Sequence, residues 1–357
     1  MKAESVDKHA IAKACGVHVT TVTLALNNRL RVAKQTRLRI QAVARRLGYV
    51  PNHAARQLAR CRFGWPGRSV ERMGFVVFDG IEPLRGVYMA FLAGAEQRIS
   101  ALGGMLIFVR ESVGSPRGRF AGFARSEIVD GLALVGNVDD KALRKAKQAR
   151  RPLVVIGDHH CSTPVHQANV DFRAMGRLAV QHLLALGHRR IGFVADNTAF
   201  VYQRELLEGA QAAMTGSGLI LQATAWNPES ALRKGQPAAS SPVDILREGH
   251  VTGIVVGEPG RAESFVNSLA RRGITVPGDI SIVACESSDA RPIIPGMAHV
   301  DAAMEDVGVA GVELLREVAA NPGCAARQVL IAPTWVEGWS ARAAGKQGDD
   351  KRTVYTS

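Results

Sequence analysis

Three threonines, Thr20, Thr21 and Thr23, stand among valines and leucines in the segment VHVTTVTLALNN, and no Lys, Arg, Asp or Glu occurs between His18 and Asn28. Threonine hydroxyls can hydrogen-bond a polar edge, and the neighbouring methyl groups can pack on an apolar one. Threonine and valine are poor helix formers, yet Val19, Val22 and Leu26 keep helical spacing. The surroundings are the reverse of uncharged. Residues 1–72 carry fifteen Lys and Arg against Glu4, Asp7 and Glu71, so +12 of the chain's formal +13 lies in its first fifth. A basic head segregated in this way implies a polyanionic partner.

The sequence contains no GxxxxGK[ST] loop, GxSxG elbow, HExxH pair or CxxC motif, and the GSG at Gly216–Gly218 lacks the third glycine of a dinucleotide fingerprint. His159, His160 and His188 are remote in sequence from acidic partners, so surface or capping roles are expected for them, and no metal set or cofactor site is implied. Cys15, Cys61, Cys161, Cys285 and Cys324 are scattered singly and read as reduced thiols of a cytoplasmic protein. No apolar run reaches the ~18 residues of a membrane span. The first residues, MKAESVDKHAIAKACG, place charges where an export signal would be apolar.

These residues need elements to hold them. Asp7 suits the cap of a first helix with Ala10, Ile11 and Ala14 on one face. Gly16 makes a turn, and His18 caps a second helix ended by Asn27 and Asn28. A third helix runs from about Lys34 to Leu47, with Leu38, Ile40, Val43, Ala44 and Leu47 apolar. Short helices around a tight glycine turn form a helix-turn-helix layout. Pro51 opens NHAARQLA, a short helical segment, followed by a linker. From Met73 apolar runs of strand type alternate with helical stretches. They are MGFVVF, MLIFV, GLALV, PLVVIG, IGFVAD, GIVVG and DISIVA, with helices near Tyr88–Leu102, Arg173–Leu186 and Ala262–Arg272. Strands apolar on both faces and separated by helices predict parallel α/β sheets, too many for one lobe.

The head resembles the lac/gal repressor family of bacterial transcription regulators. TV..AL.N, V...TR.RI and LGY.PN..AR.L all occur with the family's spacing between His9 and Leu58, and VDFRAMGRLAVQHLLALGHRRIGFV and GITVPGDISIV are similar to its core. The resemblance implies an N-terminal all-α helix-turn-helix DNA-binding domain plus an α/β two-lobed periplasmic-binding-protein-like core with parallel sheets. The corresponding boundaries are 1–50 for the DNA-binding domain, 51–72 for hinge helix and linker, 73–340 for the core and 341–357 for a disordered tail.

By match to the family's motif, Val19, Thr20 and Leu24 contact DNA bases, while His18, Thr21, Thr23 and Asn27 contact the backbone. Phosphate contacts position a protein and base contacts specify the sequence, which would explain an uncharged helix in a basic setting. Leu24 stands where many relatives have arginine or another polar residue. A lost bidentate guanine contact removes ~1–3 kcal/mol of discrimination, so more of the readout should come from methyl and shape contacts. Asn52, Ala55, Arg56 and Leu58 match the hinge's minor-groove positions, with Leu58 as the wedge between base steps. About eight residues are too few for a stable isolated helix, so the hinge should order only on DNA.

The family's effector positions match Asp79, Asp158, His159, Glu258 and Glu286. Leu206 replaces the usual arginine three residues before Gly209, and Arg204 is the nearby substitute. Several carboxylates and one arginine suit hydroxyl-rich ligands or cations, and a sugar is expected. The implied partners are a pseudo-palindromic double-stranded operator, a small effector and a second copy of the chain. Without leucine heptads in the tail, a dimer is expected and no tail-mediated tetramer. Induction and corepression both stay open. The rival is a sugar-binding or sugar-processing protein on the same two lobes, disfavoured by the basic head.

Overall fold

The computed structural model describes residues 7–26, 32–49, 70–79, 86–112, 119–159, 161–195, 200–225, 250–257, 261–286 and 294–345. They fall into two compact units divided between Pro66 and Gly67.

The first unit holds α1 (Lys8–Cys15), α2 (Val19–Leu26) and α3 (Lys34–Arg46). Asp7 accepts the Ala10 N–H at 2.8 Å and starts α1. Gly16, at φ 63°, ends it in the left-handed conformation that glycine adopts without penalty. Helices α1 and α2 meet at 104°. Eight residues rich in threonine and valine would not hold α2 alone. Packing does so, because Val22 and Ala25 are fully buried with Ile11, Cys15, Val32, Ile40 and Ala44. Three details differ from the sequence expectation. The core face of α1 is Ile11, Ala12 and Cys15, rotated away from Ala10 and Ala14, which are exposed. Ala25 is more deeply buried than Leu26, and Leu38 is 53% exposed.

The second unit contains two six-stranded sheets. The first is built from β1 (Arg72–Asp79), β2 (Met105–Ser112), β3 (Gly131–Gly136), β4 (Leu153–Ile156), β5 (Gln167–Val170) and β11 (Gln328–Ile331), in the order β11-β5-β4-β3-β1-β2. The second comprises β6 (Ile191–Ala195), β7 (Gln222–Ala225), β8 (Gly253–Val256), β9 (Ser281–Glu286), β10 (His299–Asp301) and β12 (Thr334–Val336), in the order β12-β10-β9-β8-β6-β7. Every described pairing is parallel except β10 with β12. The central strands β3, β4, β6 and β8 are buried on both faces, as parallel strands covered by helices must be.

Two helix pairs cross closely. In the first lobe α4 (Gly86–Ala101) packs on α10 (Met304–Ala320); in the second α7 (Phe172–Ala185) packs on α8 (Val201–Gly216). Glycines permit both crossings. A Cβ on Gly94 would overlap the Glu305 carbonyl, and one on Gly308 that of Phe91. In the other lobe a Cβ on Gly176 would overlap the Leu206 carbonyl, and one on Gly209 that of Arg173. The remaining described helices, α5 (Phe120–Arg125), α6 (Asp140–Gln148) and α9 (Ala262–Ala270), cover other faces of the sheets.

The chain passes between the lobes three times: from β5 to α7, from β10 to α10 and from β11 to β12. The first and third passages are joined, since the Asp171 N–H donates to the Ile331 carbonyl at 2.9 Å. At the second, Ala303 adopts φ 48° and ψ 53°.

Two boundaries are corrected. The core begins before Met73, because Val70 is 6% exposed and β1 starts at Arg72, whose guanidinium meets Asp130 at 2.8 Å. At the other end, the described chain extends past Ala341. Arg342 N–H donates to Ser281 Oγ at 3.1 Å and Ala344 N–H to the Leu186 carbonyl at 2.8 Å, so the chain stays bound to the second lobe there.

Candidate nucleic-acid interface and interlobe site

On the first unit, α2 divides its residues by exposure. Val22 and Ala25 face the core, Val19 and Leu24 are half-buried against it, and His18 and Thr20 are exposed. Thr21 and Thr23 are half-buried. His18 caps the helix in two ways. Its carbonyl accepts from Thr21 and Val22, and its Nδ1 lies 2.9 Å from Thr20 Oγ and 3.4 Å from Thr20 N. At the other end, Gln41 of α3 donates to the Ala25 carbonyl at 3.4 Å, and Arg39 holds the Cys15 carbonyl at 2.8 Å. The helix thus presents the Thr20 hydroxyl from a packed base, and the same unit carries Lys13, Arg37, Arg45 and Arg46. Asn27 and the hinge residues Asn52, Ala55, Arg56 and Leu58 lie outside the described residues.

On the second unit, four of the expected effector residues, Asp79, Asp158, His159 and Glu286, sit at or just after the carboxyl ends of strands, where open α/β sheets bind ligands. Asp79 is the last residue of β1, in register with Ser112, and Glu286 the last of β9, in register with Asp301. Asp158 and His159 follow β4. Asp158 accepts the side-chain amide of Asn169 at 2.7 Å, and Asn169 is 2% exposed. His159 Nδ1 accepts the Cys161 N–H at 3.1 Å, a capping role of the kind expected for it. The loop is braced further by Asp140, which accepts from Ser162 N–H and Oγ–H and from Thr163 N–H. Burial, with the nearby Asp140 carboxylate second, pushes the Cys161 thiol up to about 11, so it stays protonated at neutral pH. Glu258 and His160 are outside the described residues.

Helix α8 brings what the sequence did not reveal. Leu206 is 1% exposed and belongs to the core, whereas Arg204 is exposed. Between them, Glu205 is half-buried. Burial raises its pKa first, and the Asp158 carboxylate raises it further, outweighing Arg173, whose Nε is 3.8 Å away. The neighbouring Gln203 is fully buried. Three aromatic rings stand at the start of α8: Tyr202 is 5.7 Å from Phe172 and 5.9 Å from Phe200, centroid to centroid. Carboxylates, buried amides and aromatic faces are suited to a neutral ligand with many hydroxyls. The electrostatic effect of Asp158 on Glu205 links residues 47 positions apart from different lobes, so no local pattern could show it. One further correction concerns His188. It is 3% exposed rather than superficial, with Nδ1 2.9 Å from Thr252 Oγ and Nε2 3.0 Å from the Arg342 carbonyl.

Comparison with known proteins agrees with this division. Residues 9–52 match the family described as bacterial regulatory proteins, lacI family, and residues 180–341 match a periplasmic binding protein-like domain. The HTH-type transcriptional regulator DegA of Bacillus subtilis is 24% identical over 284 residues, which are 78% of this chain and 80% of the relative. Among solved structures, a complex of the transcriptional regulator CelR with cellobiose is 22% identical, with a TM-score of 0.61 over 94% of this chain and all of that one. The lac repressor dimer bound to operator and an anti-inducer is 21% identical, with a TM-score of 0.62 over 95% and 100%. At these identities the structural likeness speaks for the fold.

Proposed function

We propose that the chain, whose residues 9–52 match the lacI family of bacterial regulatory proteins, is a sequence-specific DNA-binding repressor whose operator affinity is set by a sugar held between the lobes of its core. The observation that carries the reading is α2, an uncharged helix with exposed His18 and Thr20, capped at its start and set at 104° to α1 in a strongly basic unit. Basic side chains neutralise phosphates in a salt-dependent, sequence-independent way. Val19, Thr20 and Leu24 contact bases, with His18, Thr21, Thr23 and Asn27 on the backbone. In the hinge, Asn52, Ala55 and Arg56 lie along the minor groove and Leu58 wedges a central base step.

The sugar reading rests on Asp158, Glu205, Asn169 and the aromatic rings of α8, together with the cellobiose in the CelR complex. Asp79, His159, Arg204, Glu258 and Glu286 complete the set around it. Two copies present two heads to a pseudo-palindromic operator, and the ligand shifts the balance between DNA-competent and incompetent lobe arrangements. The family consists of DNA-binding regulators, and the protein acts without catalysis, in the cytoplasm. Among the described residues no single helix is long and apolar enough to cross a membrane. Selection of bound sequences from a random DNA pool at two salt concentrations tests the proposal. Enrichment of a palindrome with a flexible central step supports it. Salt-sensitive binding that enriches nothing overturns it and favours the sugar-binding alternative.

A further inference from the structure

We infer that His18 fixes the polarity of the Thr20 hydroxyl, so that this chain reads adenine or cytosine, not guanine or thymine, at the base Thr20 meets. The inference rests on the proposed DNA-binding role of α2 and concerns what that helix selects. A threonine hydroxyl ordinarily offers both a donor and acceptor lone pairs, so it can bond any base edge and discriminates weakly.

The cap removes that freedom. Thr20 lies in the first turn of α2, where a backbone N–H has no partner within the helix. The His18 carbonyl is engaged by the N–H groups of Thr21 and Val22. The Thr20 N–H instead lies 3.4 Å from His18 Nδ1. An N–H can only donate, so Nδ1 must be the unprotonated nitrogen and the ring proton sits on Nε2. The Thr20 Oγ is 2.9 Å from that same Nδ1, so the hydroxyl also donates to it. Its only proton is thereby committed to the imidazole. Both residues are exposed, and the hydroxyl turns lone pairs alone toward whatever meets the helix.

In the major groove the donors are the N6 amino group of adenine and the N4 amino group of cytosine, while guanine O6 and N7 and thymine O4 are acceptors. An acceptor-only Thr20 is complementary to the first pair and repelled by the second. His18 is a positioning residue here: it acts on the base through Thr20, and its Nε2–H remains available to a phosphate.

The test uses the full chain and operator duplexes obtained by selection from a random pool. Thr20→Val locates the base concerned, as the position whose preference that variant loses. At this position the wild type should bind adenine or cytosine about three- to tenfold more tightly than guanine or thymine, the range expected of one hydrogen bond. His18→Gly, which the cap position tolerates at small cost, and His18→Ala both remove every side-chain acceptor that could hold the hydroxyl. Each should flatten the preference to within about twofold while leaving the preferences at other positions intact. A wild-type preference for guanine or thymine there overturns the inference. So does an unchanged preference in both His18 variants, including variants that bind every sequence more weakly by the same factor, because His18 would then be a cap alone. Failure of the wild type to enrich any sequence is a separate result, which removes the DNA-reading role itself.

Discussion

His188 donates from Nε2 to the carbonyl oxygen of Arg342, 154 residues later, and so ties the end of the core to the start of β6. Nδ1 takes the Thr252 hydroxyl on the ring's other side. The ring is uncharged at neutral pH, because burial lowers its pKa below the ordinary value by more than the hydrogen bond to the Arg342 carbonyl raises it, and the Arg342 charge lowers it again. The unfolded chain therefore binds a proton below pH ~6.5 that the folded chain refuses. Stability from this site is complete above that pH and declines as the pH falls through it. His166, whose pKa burial also lowers, adds a similar trend, so the difference from a variant is the observable. In urea unfolding at pH 7.5, 6.5 and 5.5, His188→Gln should be less stable at pH 7.5 by about 1–3 kcal/mol and lose less on acidification than the wild type. Equal acid losses in the two proteins would exclude His188 as the source.

Both lobes set a helix pair on two facing glycines, Gly94 with Gly308 and Gly176 with Gly209. In each case the obstacle to a side chain is a backbone carbonyl, which cannot rotate away. Overpacking a core by ordinary side chains costs about 1–3 kcal/mol, and Gly176→Ala should exceed that range. Gly122 has open space at its Cβ position and serves as the control. Gly122→Ala should unfold at the wild-type urea concentration or slightly above it, while Gly176→Ala loses several tenths molar or fails to fold. Equal midpoints for the two would show that the helices separate freely.

Much of this architecture was legible in the sequence. The seven apolar runs became β1, β2, β3, β4, β6, β8 and β9, because a strand covered on both faces must be apolar throughout. The segments QANV, QATA, HVD, QVLI and TWV were not read as strands. Each is only three or four residues long, and four of them lie where the chain passes between lobes, so their partners are distant in sequence. The same reason hid His188, whose partners are Thr252 and Arg342, and Glu205, whose neighbour Asp158 belongs to the other lobe. In the head, Cys15 in place of Ala14 turned the core face of α1 by one position, a choice that depends on how α3 packs. The cap residues Asp7 and His18, by contrast, act within three residues of themselves and could be read directly.

Ala303 occupies the left-handed region at the passage from β10 to α10, held by its N–H to Asp301 Oδ1 at 2.9 Å. That conformation costs an L residue about 1–2 kcal/mol. Glycine would remove the cost but bring about 0.4–1 kcal/mol of extra unfolded-state entropy. The first effect is larger, so Ala303→Gly should raise the melting temperature by about 2 °C. A lower melting temperature would mean that the alanine methyl makes packing contacts worth more than the strain.

The Asp158 carboxylate of the first lobe acts electrostatically on Glu205 of the second, with burial as the larger burden on Glu205. A carboxylate kept partly buried beside another is costly in the empty protein and useful only when a ligand donates hydrogen bonds to it. Removing its charge should therefore move stability and binding in opposite directions. Glu205→Gln keeps the shape, relieves the repulsion and should raise the melting temperature of the ligand-free protein at pH 7. Affinity for the sugar found by thermal-shift screening should fall about tenfold, as the loss of a charged hydrogen bond requires. The pH dependence follows from the same cause. A raised pKa means that Glu205 gains its proton at a pH above the ordinary ~4.3 of glutamate, so wild-type affinity should weaken as pH drops from 7 toward 5. Glu205→Gln should show a flatter profile over that window. A stabilised variant that binds the sugar as well as the wild type would leave Glu205 outside the ligand's reach. A destabilised one would show that the Arg173 ion pair outweighs the repulsion from Asp158.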